Sequence, residues 1–208
     1  IHRVGNIMID SLEMLRSTIE NQLVFEQFEL SKRSYAVATL HRPANVDSRD
    51  DLKKACLLLA QLSKRIPIIF PIHPRTRRNL IQGNLMPLLL KSNGLRIVEP
   101  LGYIKFMNLV FNCRLVITDS GGVQEETTYL GIPCLTLRPN TERPITVTHG
   151  TNRICSLEDL ESAVTNALAA RMMHPANIDF WDGRTAERVV RSIETIFNGK
   201  LQGEKGNN

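Results

Sequence analysis

Apolar residues recur at helical spacing through the first segment, at Met8, Leu12, Leu15, Ile19 and Leu23, which predicts an amphipathic helix over about residues 7–28. Short runs rich in β-branched residues follow at 35–40, 66–72, 95–98, 114–118 and 133–137. These runs are apolar throughout instead of alternating with polar residues, so they read as strands buried on both faces. Between them the period returns to that of a helix, over roughly 49–64, 75–90, 103–111 and 122–130. A sixth strand at 152–155 precedes a helix over about 157–170 capped by Ser156, and Trp181-Asp182-Gly183 turns into a last helix over about 184–197. Strand and helix alternate. That order predicts an α/β fold, a Rossmann-like parallel sheet with helices on both faces and a ligand site outside the carboxyl ends of the strands. The expected organisation is one domain over 1–198 and a polar, Gly-rich tail over 199–208 that is disordered.

Composition narrows the function. With 208 residues, 42% hydrophobic and 23% charged, the chain has the make-up of an ordinary soluble globular domain. Its apolar runs fall far short of the roughly 20 residues needed to span a bilayer, and no basic segment leads into an apolar one at the start. The four cysteines, Cys56, Cys113, Cys134 and Cys155, lie far apart without any Cys-x-x-Cys pair, so buried thiols in a reducing, cytoplasmic setting are expected, with no metal and no cofactor. The net charge of +5 is scattered except at Arg75, Arg77 and Arg78 and lacks interleaved aromatics. A nucleic acid or a membrane is therefore not the expected partner, and a small polyanion is.

The strongest local signal is Thr118-Asp119-Ser120-Gly121-Gly122-Val123-Gln124-Glu125-Glu126, placed after a buried strand and before a helix. Gly121 and Gly122 let a bulky anion approach the backbone, and the first helical turn offers unpaired N–H groups and the positive end of the dipole. Ser120 either caps that helix or touches the anion. The plain alternative is a tight strand-to-helix turn. Glu125 and Glu126 compensate the helix dipole on the plain reading, whereas Glu126, one turn beyond Gly122, is also placed to accept two hydrogen bonds from a ribose diol.

Other candidates emerge at the same sheet edge. Arg143, in Arg138-Pro139-Asn140-Thr141-Glu142-Arg143-Pro144, suits a phosphate oxygen, or else forms a surface pair with Glu142. His41 and Arg42 end one strand, and His73-Pro74-Arg75 ends the next. An imidazole facing a diphosphate donates a hydrogen bond or stabilises leaving-group charge, though a lone His is also a common structural residue. The loop Glu99-Pro100-Leu101-Gly102-Tyr103-Ile104-Lys105-Phe106 has an aromatic that either stacks on a uracil ring or serves the core.

Together, Thr39-Leu40-His41-Arg42-Pro43-Ala44-Asn45-Val46-Asp47, Pro71-Ile72-His73-Pro74-Arg75, the 118–126 segment, Thr141-Glu142-Arg143-Pro144 and Trp181-Asp182-Gly183 resemble the C-terminal domain of the non-hydrolysing UDP-N-acetylglucosamine 2-epimerases. The resemblance covers residues 3–197. It implies one half of a two-domain GT-B arrangement that interconverts UDP-GlcNAc and UDP-ManNAc by eliminating UDP and adding it back to the opposite face. It also implies a missing N-terminal domain that carries the proton-transfer carboxylates, and a homodimer at full length. By the same resemblance Ser120, Gly121 and Gly122 hold the diphosphate, Arg143 contacts it and Glu126 holds the ribose. Phe106 belongs to the uracil pocket, and His41 assists the departing UDP; His73 and Arg75, from their place at a strand end, and Leu101, just before the uracil loop, are further expected substrate-binding residues. Two positions depart from the family pattern: Ala44 stands where members often carry Glu, in a region tied to activation by a second UDP-GlcNAc, and Leu101 where some carry Gln. Alternatives are a GT-B glycosyltransferase domain, a hydrolysing 2-epimerase and a bare UDP-binding module.

Overall fold

The computed structural model describes residues 1–170 and 175–204. Six strands form its centre: β1 (Ala36–Thr39), β2 (Ile68–Pro71), β3 (Leu95–Val98), β4 (Leu115–Thr118), β5 (Cys134–Leu137) and β6 (Asn152–Cys155). They form one sheet in the order β3-β2-β1-β4-β5-β6, every pairing parallel. The winding direction reverses between β1 and β4, and such a reversal opens a crevice at the carboxyl ends of the two strands. This is the α/β architecture expected from the alternation of strand and helix.

Ten helices complete the described fold: α1 (Ile7–Glu20), α2 (Pro43–Val46), α3 (Arg49–Leu62), α4 (Pro74–Gln82), α5 (Met86–Leu90), α6 (Tyr103–Asn112), α7 (Gly121–Leu130), α8 (Pro144–Thr148), α9 (Leu160–Ala169) and α10 (Thr185–Glu204). Successive strand residues serve opposite layers. Ala36, Ala38, Ile68, Phe70, Leu115 and Ile117 join the core under α3, α5 and α9, while Val37, Ile69 and Val116 join the core under α1 and α6. Burial on both faces explains why the strands read as continuous apolar runs. The four cysteines are buried and unbridged, and no described helix is long and apolar enough to cross a membrane.

The helix expected over 7–28 stops at Glu20, and Val24–Phe28 forms a separate 3-10 turn. The cause is buried Asn108 on α6. Its Nδ2 donates to the carbonyls of Ile19 and Gln22, both at 2.8 Å, and its Oδ1 accepts from Val24 N at 3.0 Å. A side chain from another helix thus satisfies the groups that a continuing helix would have paired. The helix expected over 75–90 is broken after Gln82, with Asn84 at φ 53°. Leu80, Leu85 and Leu89 nevertheless all reach one core, so the apolar period survives the break. Helix α9 starts at Leu160 with Asp159 at its cap, because Ser156 Oγ accepts from Asp159 N in a turn outside the helix. Helix α10, expected over about 184–197, runs from Thr185 through Glu204; residues 205–208 of the expected tail lie outside the described residues.

Two polar ties fix α1, whose Leu12 and Ile19 are fully buried. Asn6 caps its start, accepting from Met8 N at 2.9 Å while its Nδ2 donates to Glu125 Oε1 of α7 at 2.9 Å. Asp10 accepts from Thr185 N at 3.0 Å and Ala186 N at 2.7 Å, capping α10. Burial disfavours the Asp10 charge, but those backbone donors outweigh it and lower the pKa. Replacing Asn108 by Leu keeps the volume and strands two backbone groups, Gln22 O and Val24 N, while Ile19 O keeps its bond from Gln22 N. The expected cost is roughly 3 kcal/mol, read as a lower urea midpoint at unchanged slope; a midpoint equal to the parent's refutes this account of how α1 ends.

Candidate active site

Five of the predicted residues meet in one cavity. His41, His73, Leu101, Phe106 and Ser120, with Thr39, Pro71, Ile72, Pro100 and Val123, line a cavity of about 280 Å³. The fold puts them there: His41 follows β1, His73 follows β2, Leu101 follows β3 and Ser120 follows β4. Parallel pairing brings all four carboxyl ends to one edge. The two imidazole rings lie 5.3 Å apart, centroid to centroid. Phe106 serves both expected roles, lining the cavity and packing against the α1/α6 core. A larger hollow of about 440 Å³ lies at the ends of β5 and β6, but its cation, Arg138, is already held by both oxygens of Glu142 at 2.6 and 2.7 Å.

Gly121 and Gly122 open α7 directly behind Ser120, outside the cavity lining. Ser120 is the N-cap residue, yet its side chain makes no capping hydrogen bond. The first N–H groups of a helix have no partner inside it, so this end presents donors and a positive dipole. The fold itself does not require glycine here. A Cβ at Gly121 would meet nothing within 4 Å and one at Gly122 only Met8 Cε at 3.5 Å, and neither residue has a positive φ. By contrast a Cβ at Gly150 would sit 2.4 Å from Thr146 O. Open space above a helix start without a side-chain cap leaves its N–H donors accessible to an anion.

The arginines are less simply placed than expected. Arg143 pairs with Glu125, Nε to Oε1 at 3.1 Å, and not with Glu142, which belongs to Arg138. Its loop is braced from below by a buried polar network. Thr141 Oγ1 donates to Gln124 Oε1 at 2.6 Å, Asn152 Nδ2 donates to the same oxygen at 3.0 Å, and Gln124 Nε2 donates to Ser120 O at 3.1 Å. Thr141 Oγ1 also accepts from Arg143 N at 2.9 Å. One α7 side chain therefore couples the start of its own helix to the Arg143 loop. Arg75 lies on the exposed first turn of α4 and is drawn to Asp47, Nε to Oδ1 at 2.8 Å, outside the cavity.

Two adjacent carboxylates on α7 have different fates. Glu125 takes Arg143 and Asn6. Glu126 is 3% exposed and accepts one hydrogen bond, from Tyr103 OH at 2.8 Å. Burial pushes its pKa up to about 7; the Tyr103 hydroxyl opposes this and the neighbouring Glu125 charge adds to it. Burial likewise raises the Tyr103 phenol, helped by the Glu126 charge.

Sequence reasoning passed over Asp119, Gln124 and Tyr103. Asp119 is fully buried, yet its carboxylate takes His41 Nδ1 at 2.9 Å, His41 N at 3.0 Å, Arg42 N at 2.9 Å and Asn45 Nδ2 at 3.0 Å. Burial opposes its charge, and the His41, Asn45 and backbone donors more than compensate, lowering its pKa. The available signal was an acid closing an otherwise apolar strand. Among the described residues, no cluster of His, Cys, Asp and Glu is arranged to hold a metal.

Comparison with known proteins meets this geometry from outside. The family model for UDP-N-acetylglucosamine 2-epimerase matches residues 1–194. The UDP-N-acetylglucosamine 2-epimerase of Methanocaldococcus jannaschii is 37% identical over 197 residues, covering 91% of this chain and 53% of that protein. The protein of the same description from Methanococcus maripaludis is 36% identical, covering 93% and 54%. A crystal structure of the Methanocaldococcus jannaschii enzyme in complex with UDP-GlcNAc and UDP superposes with a TM-score of 0.80 at 37% identity, covering 94% of this chain and 55% of that one. The chain spans about half the length of the curated relatives it matches. On these matches, and on a Rossmann-like sheet that carries its candidate residues at one edge, the chain belongs to the UDP-N-acetylglucosamine 2-epimerase family.

Proposed function

We propose that this chain is the UDP-binding half of an enzyme that interconverts UDP-GlcNAc and UDP-ManNAc by elimination and re-addition of UDP. The observation that carries the reading is the uncapped, glycine-opened start of α7 beside a cavity lined by two histidines. In this reading the Ser120 hydroxyl and the amides of Gly121 and Gly122 seat the diphosphate, the Ser120 amide being held by Thr118 Oγ1 at 3.0 Å, and Arg143 turns from Glu125 to a phosphate oxygen. Glu126 exchanges the Tyr103 hydroxyl for the ribose diol. Leu101 and Phe106 hold the uracil, and His73 and Arg75 complete the substrate edge. His41 supports the departing UDP. Elimination leaves extra negative charge on the β-phosphate, and preorganised N–H, guanidinium and imidazole donors stabilise that charge where it forms.

The sugar half of the reaction needs an acid and a base that this sheet edge does not supply. Asp119 is spent on four donors and Glu125 on Arg143, so the proton-transfer carboxylates are assigned to a second, N-terminal half. Helix α10 exposes Val190, Ile193 and Phe197 at helical spacing, an apolar strip suited to such a neighbour. The reading extends to a cytoplasmic homodimer at full length. Ala44 in place of the family's usual Glu argues for altered activation by a second UDP-GlcNAc.

Because the fold leaves room at both glycines, Gly121→Ala with Gly122→Ala tests the ligand and not the protein. Thermal stability is expected to hold, or to rise by up to about 1 kcal/mol from helix propensity, while UDP affinity falls at least about tenfold. Arg143→Ala removes a charge-assisted bond worth roughly 1.5 to 3 kcal/mol, about tenfold to a hundredfold in affinity. Calorimetry showing unchanged UDP binding in all these variants overturns the site.

Glu126 gives a pH prediction. Its folded pKa, about 7, lies above the ordinary 4.5, so the free fold is favoured by the protonated form. That advantage is complete below pH 4.5 and is lost as pH rises through 7. Glu126→Gln should therefore stabilise the ligand-free chain at pH 8, by up to about 3 kcal/mol, yet weaken UDP more than its 2′,3′-dideoxy analogue. UDP affinity of the parent should climb as pH passes 7. Equal weakening of both ligands would return Glu126 to a purely structural role.

A further inference from the structure

Four groups converge on Asp119, and one of them is a candidate catalytic ring. The carboxylate lies at the end of β4, 0% exposed, and reaches across the crevice to the residues that leave β1. An ionised carboxylate only accepts hydrogen bonds. The 2.9 Å contact between Asp119 Oδ1 and His41 Nδ1 therefore requires the proton on Nδ1, and it leaves Nε2 as the ring nitrogen available to the cavity that His41 lines. The neighbouring ring is fixed the other way. His73 caps α4, and its Nδ1 accepts from Arg75 N at 3.2 Å, so a neutral His73 carries its proton on Nε2.

We propose that Asp119 is a positioning residue that holds His41 as the Nδ1–H tautomer, so that His41 and His73 present opposite nitrogens, an acceptor and a donor, to one cavity. This rests on the reading that UDP occupies that cavity. The chemical consequence lies at His41 Nε2. Beside a diphosphate that atom needs a proton, and the buried Asp119 charge is the counter-ion of the imidazolium so formed. In the elimination a base of the N-terminal half takes the C2 proton, the C2–H electron pair forms the C1=C2 bond, and the C1–O bond breaks with its electron pair leaving on the diphosphate oxygen. A proton passing from Nε2 to that oxygen returns His41 to the neutral Nδ1–H form that Asp119 already holds. His73, capping a helix, keeps its donor throughout. The backbone bonds from His41 N and Arg42 N, together with Asn45 Nδ2, keep the carboxylate from rotating away. Packing alone would not select a tautomer; this arrangement does.

Long-range proton–nitrogen NMR of the histidine-labelled chain at pH 8 reads the tautomers directly, with His41→Gln and His73→Gln assigning the two rings. The expected result is Nδ1–H for His41 and Nε2–H for His73 in the same spectrum. Histidine side chains in water favour Nε2–H, so an Nε2–H signature for His41 in the parent chain overturns the proposal without any variant having to fold. Asp119→Asn keeps the side-chain shape but can turn an amide N–H toward the ring. In a folded variant the single Nδ1–H signature of His41 should be lost and that of His73 kept; a His41 signature unchanged in folded Asp119→Asn also overturns the proposal. Calorimetry of UDP on the parent sample separates the two layers, because absent UDP binding beside the expected tautomers refutes the functional reading and not the geometry.

Discussion

The buried carboxylate of Asp119 is the constraint on which the active edge depends. It sits where the sheet reverses its winding, and it bonds the end of β4 to the turn that leaves β1. A lone buried charge would be expensive. Here it is satisfied by one ring nitrogen, two backbone amides and one side-chain amide. Because those donors come from residues 41, 42 and 45, the same interaction sets His41, starts α2 and holds the crevice in register with the glycine turn that follows Asp119 in sequence.

A second balance governs the far side of α7. Glu125 and Glu126 are neighbours and both are buried, yet only Glu125 has a cation. The fold thus carries one comfortable carboxylate and one strained one, and the strained one rests on Tyr103 at the start of α6. Such a group costs stability in the free protein and is relieved by a ligand that brings more donors. The Gln124 network has the opposite character. It is satisfied throughout, and it fixes the Arg143 loop relative to the helix start, so the guanidinium has a braced origin while its partner remains exchangeable.

Much of this was legible in the sequence because periodicity reports burial. Strands buried on two faces have no polar beat, and β3 and β6 fall at the expected residues. The failures share one cause, which is tertiary contact at long sequence separation. Asn108 ends α1 from 86 to 89 residues away and leaves no local trace. The break between α4 and α5 was hidden because the apolar spacing continues across it. At the site, strand ends and glycines marked His41, His73, Ser120, Gly121 and Gly122. The purpose of Asp119, an acid just past the end of a buried strand, shows only once β1 lies beside β4, and the Arg143 to Glu125 pair likewise joins separate elements.

The central claim is that the start of α7, in the β1/β4 crevice, is the seat of a diphosphate. Titrating UDP into the nitrogen-labelled chain and following its backbone amides tests this most directly. The account predicts that the largest shifts fall on Ser120, Gly121 and Gly122, followed by Gly102 and Arg143, and that they saturate together. Shifts centred instead on the hollow between α3 and α5, at Leu57, Gln61 and Lys91, or no saturable shift at all, would contradict it.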